Sequence, residues 1–244
     1  MNIDINSKKY KLHEWTSSQI ETFWSYESNF PHKYWGNVCG LGFVRLIDED
    51  IRTAQSILDL GCGDGSLIEQ ILKRYSIKDK KIYGLDLSKS SVASANIRLS
   101  GLQGFGGVFD NISSLLDMCP NKFDLILCTE VVEHLYDNDL NRLLCDAHSL
   151  LAKGGRFIIT TPNNEDIALE MISNPIDGSL FHRWQHVRSW TSRLLCQYLG
   201  NNGFNDFTTI ETNVLWYNST YIKNLYRRWR YPERRTLIVK SAKS

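Results

Sequence analysis

Apolar and polar residues change their spacing several times along the chain, and each change marks an element. Between residues 56 and 161, short apolar runs alternate with stretches whose apolar positions recur at helical spacing. Ser56–Leu60, Lys81–Leu85, Gly106–Phe109, Phe123–Cys128 and Arg156–Thr161 read as strands, with Pro162 stopping the fifth. Phe123–Cys128 is apolar throughout after Asp124, as a strand covered on both faces is. Helices are expected over about Ser66–Tyr75, Ser88–Ser100 and Asn138–Leu151; Ser88 suits an N-cap and Gly101 a C-cap. This alternation predicts an α/β fold, a mostly parallel sheet with helices on both faces.

The flanks follow other patterns. The opening dozen residues are expected to be loose, a helix is expected near 17–28 before Pro31, and a second amphipathic helix over Val38–Ile51. The first carries Trp15, Phe23, Trp24, Tyr26 and Phe30 in or beside it. Either these rings pack a helical extension onto the core, or they form a lid with Tyr34-Trp35-Gly36 bordering the pocket. Residues 162–190 read as an irregular insertion. Thr191 caps a helix to about Leu199 that Gly200 and Gly203 end, Phe204–Ile210 is a sixth strand, and Arg235–Lys240 a final one. The chain has no internal repeat, low-complexity tract or linker, so one domain over 1–244 is the economical reading. Its parts are an N-terminal helical cap (1–55), a cofactor-binding core (56–162), and an acceptor-side insertion with a C-terminal hairpin (163–244).

Composition narrows the class. At 244 residues, 42% hydrophobic and 11% aromatic, the chain has enough apolar surface for a sizeable core, and disorder is excluded. A formal charge of +1 gives no overall drive toward nucleic acid or membrane. Cys39, Cys62, Cys119, Cys128, Cys145 and Cys196 form no C-x-x-C pair. With no apolar leader and no run near the ~20 residues of a membrane span, they point to reduced thiols and a cytoplasmic protein.

Chemistry concentrates where strands end. Ile57-Leu58-Asp59-Leu60 runs into Gly61-Cys62-Gly63-Asp64-Gly65, and a helix begins at Ser66. Such a turn brings backbone close to a polar ligand. The second strand ends in Asp86, the third in Asp110 and the fourth in Glu130, a row of acids that a core does not need. In open α/β sheets this edge is where ligands sit, and an acid after the second strand suits ribose hydroxyls. The glycine spacing is not that of a dinucleotide fingerprint, and no Gly-Lys-Ser/Thr is present to hold a nucleotide's phosphates.

Four segments in register resemble the class I S-adenosylmethionine-dependent methyltransferases. Ile57–Gly65 resembles their first motif, Gly84-Leu85-Asp86-Leu87-Ser88 the second, Phe123–Leu135 the fourth, and Leu150–Ile159 the turn into strand five. The resemblance implies a Rossmann-like seven-stranded sheet with the last strand antiparallel. It implies that Gly61 and Gly63 contact the amino-acid part of S-adenosylmethionine, and that Asp59 anchors either the turn or the methionine ammonium. Asp86 would bind the ribose hydroxyls, and Asp110 with the Asn111 backbone would face the adenine; capping of a helix is the alternative for both acids. Cys62, Leu87 and Glu130 complete the implied cofactor set.

The acceptor side rests on Glu130-x-x-Glu133-His134. These positions share a face if the chain enters a helical turn there. Two carboxylates and an imidazole suit a divalent ion such as Mg²⁺, Mn²⁺ or Zn²⁺, with His186 or His182 as a further ligand. Equally, Glu133 and His134 could simply cap the next helix. The pattern, with Thr161-Pro162-Asn163, resembles the ubiquinone-biosynthesis O-methyltransferases; with His186-x-x-x-Trp190-Thr191 it resembles small-RNA 2′-O-methyltransferases. The expectation is methyl transfer to an oxygen of a small molecule, a sugar or secondary metabolite, with His134, His186 and Glu130 catalytic. The alternatives are metal-assisted methylation of an RNA 2′-hydroxyl and a catalytically silent cofactor-binding domain. The basic run Lys223, Arg227, Arg228, Arg230, Arg234, Arg235, Lys240 and Lys243, with Trp216, Tyr217, Tyr221, Tyr226, Trp229 and Tyr231, would serve nucleic acid or a phosphorylated substrate, or pack as a helix with solvated charges.

Overall fold

The computed structural model describes residues 10–75, 80–218, 221–230 and 232–243. Most of the loose N-terminal segment, and Tyr231, lie outside the described residues.

Among the described residues four α-helices and a 3-10 turn at Pro31–Lys33 precede the sheet: α1 (Ser17–Glu27), α2 (Trp35–Val38), α3 (Gly40–Leu46) and α4 (Asp48–Thr53). Thr16 caps α1 in a reciprocal capping box with Gln19. The expected single helix over Val38–Ile51 is broken, with joints at Cys39 and Ile47. Tertiary contact accounts for the first break: Gly42 N–H donates to Asn218 Oδ1 at 2.7 Å, and a Cβ on Gly42 would stand 2.2 Å from the Val214 carbonyl oxygen.

The core then alternates as its pattern predicts: β1 (Ser56–Leu60), α5 (Ser66–Arg74), β2 (Lys81–Leu85), α6 (Lys89–Leu99), β3 (Phe105–Phe109), α7 (Ile112–Met118), β4 (Phe123–Thr129), α8 (Asp137–Leu150) and β5 (Leu151–Pro162). Helix α7 was not expected; Asn111 caps it, its Oδ1 accepting from Ser114 N–H. In β5 the parallel ladder jumps from Leu151 to Arg156, so Gly154-Gly155 bulge out as a turn, and pairing continues through Pro162. The insertion is not wholly irregular: β6 (Met171–Ser173) and β7 (Leu180–His182) form a hairpin. Helix α9 (Ser192–Asn201), β8 (Phe204–Thr212), α10 (Tyr221–Arg230) and β9 (Thr236–Lys243) complete the chain.

The seven-stranded sheet has the order β3-β2-β1-β4-β5-β9-β8, with β9 antiparallel to both neighbours. Alternate residues feed two cores. Leu58, Ile126, Phe157 and Ile159 face one side, where α8 and α9 pack; Ile57, Leu125, Leu127 and Ile158 face the other, under α3, α4 and α5. Connections run outward from β1 in one direction and from β4 in the other. The carboxyl ends of β1 and β4 therefore flank the switch point, where such sheets bind ligands.

Candidate active site

The glycine turn leaves β1 against that crevice. Gly61, Gly63 and Gly65 all take positive φ, at 75°, 52° and 75°. A side chain at Gly61 would put Cβ 2.4 Å from Val131 Cγ2, and one at Gly63 would meet the Tyr34 ring at 2.7 Å. Asp64 staples the turn, accepting from Ser66 N–H at 3.1 Å and pairing with Arg98 at 3.1 Å. Tyr34 and the α2 residue Asn37, which reaches Asp64 at 3.3 Å, close over it.

Asp59 is fully buried, and neither carboxylate oxygen has a hydrogen-bond partner among the described residues. Burial, with a smaller push from Asp86, raises its carboxyl to about 7. Asp86 is differently placed: Oδ2 accepts from Gly63 N–H and Oδ1 from Ser88 N–H, each at 2.9 Å. It therefore ties β2 to the turn, with lone pairs left over for a ligand's hydroxyls. Ser88, not Asp86, caps α6. Asp110 accepts from the Asn111 side chain at 2.7 Å. Leu87 is 86% exposed, while burial beside Asp86 and Asp59 pushes the Cys62 thiol well up. A cleft of about 580 Å³ adjoins this edge between α1 and the start of α6, with Tyr26, Asn29, Ser88 and Lys89 in its wall.

Past β4 the chain makes one turn, His134 N–H donating to the Val131 carbonyl, before α8 begins at Asp137. Tyr136 is the N-cap residue of α8 and no side chain caps it, so Glu133 and His134 are not helix caps. Glu130 sits at φ 52°, its carboxylate accepting from Thr160 Oγ1 at 2.7 Å; burial raises it to about 7. Glu133 is buried, with Oε2 accepting from Thr161 Oγ1 at 3.0 Å and Oε1 without a hydrogen bond among the described residues, 3.8 Å from His134 Nε2. Its carboxyl is pushed well above the ordinary range, first by burial and then by Glu130. His134 Nδ1 also lacks a partner, and burial with the neighbouring His186 lowers this imidazole to about 3. It is therefore neutral, as a metal ligand or base must be.

His186 arrives from the insertion. Its ring meets His134 edge-on at 4.8 Å and stacks on His182 at 4.3 Å. The structure thus brings Glu133, His134 and His186 together, with one ligand atom from each within 4.8 Å of the others. Glu130 is not in that group. A second group, Glu165, His182 and His186, shares His186. Glu165 was not among the expected site residues: in sequence it is one acid in a polar loop, 21 residues before its histidine partner. Its Oε2 stands 2.6 Å from His186 Nδ1. Burial opposes its charge, but the hydrogen bonds and charges of His182 and His186 outweigh that and hold it at about 2.

The N-terminal helices cover this end. Trp24 lies edge-on to His134 at 5.0 Å and donates to Gln185 Oε1, while Gln185 donates to the His134 carbonyl. Leu180 bonds to Lys11 and His13 backbone, joining the N-terminal segment to the insertion. The basic run is partly committed elsewhere: Lys240 pairs with buried Asp50 at 2.6 Å, and Lys243 bonds to the His148 and Leu151 carbonyls. No helix among the described residues is long and apolar enough to cross a membrane.

Comparison with known proteins agrees with this layout. A family model described as a methyltransferase domain matches residues 37–209. A ubiquinone biosynthesis O-methyltransferase of Idiomarina loihiensis is 28% identical over 151 residues, which span 60% of this chain and 58% of the relative. A solved S-adenosylmethionine-dependent methyltransferase from Clostridium acetobutylicum superposes with a TM-score of 0.59 at 15% identity, covering 90% of this chain and 96% of that one. A Burkholderia thailandensis 1,6-didemethyltoxoflavin-N1-methyltransferase, solved with its substrate and S-adenosylhomocysteine, reaches 0.63 at 15% identity over 96% and 94%. With the glycine turn and the acids at the switch point in place, the chain belongs to the class I S-adenosylmethionine-dependent methyltransferase family.

Proposed function

We propose that the protein methylates an oxygen of a small molecule, a sugar or secondary metabolite, at the convergence of Glu133, His134 and His186. That convergence carries the reading, since a buried carboxyl oxygen without a hydrogen bond beside two imidazoles is costly unless something polar uses it. The relatedness to O-methyltransferases of ubiquinone biosynthesis supports the choice of oxygen.

The residues fit the donor. Asp59, buried and unpaired, would hold the methionine ammonium, with Gly61, Cys62 and Gly63 along its amino-acid part. Asp86 would take the ribose hydroxyls; Leu87, Asp110 and Asn111 would border the adenine. When bound, S-adenosylmethionine supplies an electrophilic methyl on a sulfonium. The protein's part is alignment of the acceptor oxygen with that methyl and acceptance of its proton. His134, held neutral by burial, and His186 beside it are suited to receive the proton, and Trp24 with Gln185 covers this end.

The same donor set fits a divalent ion. One carboxylate and two imidazoles suit Mn²⁺ or Zn²⁺ rather than Mg²⁺, since Glu130 stands outside the group and is engaged by Thr160. When bound, such an ion makes the acceptor hydroxyl more acidic. Calorimetry with S-adenosylhomocysteine, followed by methyl-transfer assays over phenolic and sugar acceptors with and without chelator, tests the proposal. Failure to bind S-adenosylhomocysteine would sink it. Tight binding with no turnover on any acceptor would favour a silent cofactor-binding domain, and turnover on short RNA alone would favour the RNA reading.

A further inference from the structure

Glu165 sits between two histidines and addresses each with a different oxygen: Oε2 is 2.6 Å from His186 Nδ1, and Oε1 is 3.5 Å from His182 Nε2. The spacing would admit a metal ion, but the proton positions argue against one. His182 Nδ1 accepts the backbone N–H of Trp184 at 3.3 Å and of His186 at 3.2 Å. A nitrogen that accepts two N–H groups carries no proton. The ring proton of His182 is therefore on Nε2, which stands 3.5 Å from Glu165 Oε1 without meeting it in hydrogen-bond geometry, and that nitrogen has no lone pair to offer a metal.

The same reasoning runs on to His186. Its Nδ1 donates to the Glu165 carboxylate, so in the uncharged ring the lone pair lies on Nε2, and no residue among those described hydrogen-bonds that atom. The His182 ring, stacked at 16° to that of His186, fixes its plane. We propose that Glu165 is the positioning residue of the acceptor site: it locks His186 in the Nδ1–H tautomer, while the stacked His182 ring holds the imidazole plane. This rests on the proposed function only in giving His186 a task there. A base or a metal ligand must present a bare nitrogen, and free imidazole has no reason to choose Nε2 for it.

The test needs neither acceptor nor cofactor. Long-range proton–nitrogen correlation spectra of ¹⁵N-labelled, chelator-treated protein report which nitrogen of each histidine is protonated. His182→Asn and His186→Asn variants assign the two signals. The wild-type chain should show His186 with the proton on Nδ1 and His182 with it on Nε2. In Glu165→Ala, His186 should populate the other tautomer. His182 should not, because its backbone donors remain, and that unchanged signal reports that the loop is intact. Zn²⁺ titrated by calorimetry should bind about 10- to 100-fold more weakly to Glu165→Ala. A bare Nδ1 on wild-type His186 overturns the proposal without any variant, as does an unchanged His186 in a folded Glu165→Ala. Absence of Zn²⁺ binding to the wild type would count against the metal reading alone and leave the tautomer result to decide for Glu165.

Discussion

Replacing Asp59 with asparagine tests whether the carboxylate under the glycine turn is kept for a ligand. In the ligand-free protein both its oxygens are buried and unpaired, and burial lifts the carboxyl to about 7, against about 3.9 in an unfolded chain. Between those values the native state holds a proton that the unfolded chain has lost. Stability is therefore greatest below the unfolded value, falls as pH rises through this window, and levels off above about 7. Integrated from about pH 5.5 to about pH 8, the loss is about 2 kcal/mol. At this chain length that is roughly 4–8 °C in Tm. Asp59→Asn has no such titration. The difference in Tm between the two proteins, measured by scanning calorimetry without cofactor, should change by that amount across the window. Any pH-independent cost of the buried amide cancels in the comparison. Saturating S-adenosylhomocysteine should flatten the wild-type curve, because an ammonium stabilises the ionised carboxylate. Parallel pH curves for the two ligand-free proteins would refute the reasoning.

Asp86→Asn should weaken S-adenosylhomocysteine binding by about 10- to 100-fold in calorimetry, the value of charge-assisted hydrogen bonds to two hydroxyls, even though Gly63 N–H retains an acceptor. Gly61→Ala should destabilise by at least about 1–2 kcal/mol in denaturant unfolding, since φ is 75° and its Cβ meets Val131; adding Val131→Ala should recover only the clash. Trp24→Ala should raise the acceptor KM and leave S-adenosylhomocysteine affinity within about twofold, because Trp24 touches His134 and Gln185 rather than the glycine turn. Equal losses in both would place Trp24 in the donor site instead.

Membership in the methyltransferase family and the seven-stranded sheet were legible because their determinants are local. A buried strand is a short apolar run, the turn after it is spelled in glycines, and acids at strand ends have no use in a core. Ser88 and Thr191 announced their helices for the same reason. The Val38–Ile51 helix was misread at its first break because that break depends on Asn218 and Val214, far along the chain, which no local periodicity can register. Helix α7 escaped because, at seven residues, it is too short for a periodic signature.

The candidate acceptor site divides in the same way. Glu130, Glu133 and His134 come from one turn, so their spacing was readable, and His186 was readable from its setting before Trp190-Thr191. What made a site of them was decided in three dimensions. The insertion folds as a hairpin against the N-terminal segment, carries His186 to His134, and turns Glu165 onto two histidines. Sequence alone determined that a glycine turn and a row of strand-end acids meet at the β1–β4 crevice, because both are spelled in consecutive residues. Tertiary structure alone decided which of several polar side chains face one another there, because protonation and ligand geometry depend on neighbours brought from distant parts of the chain.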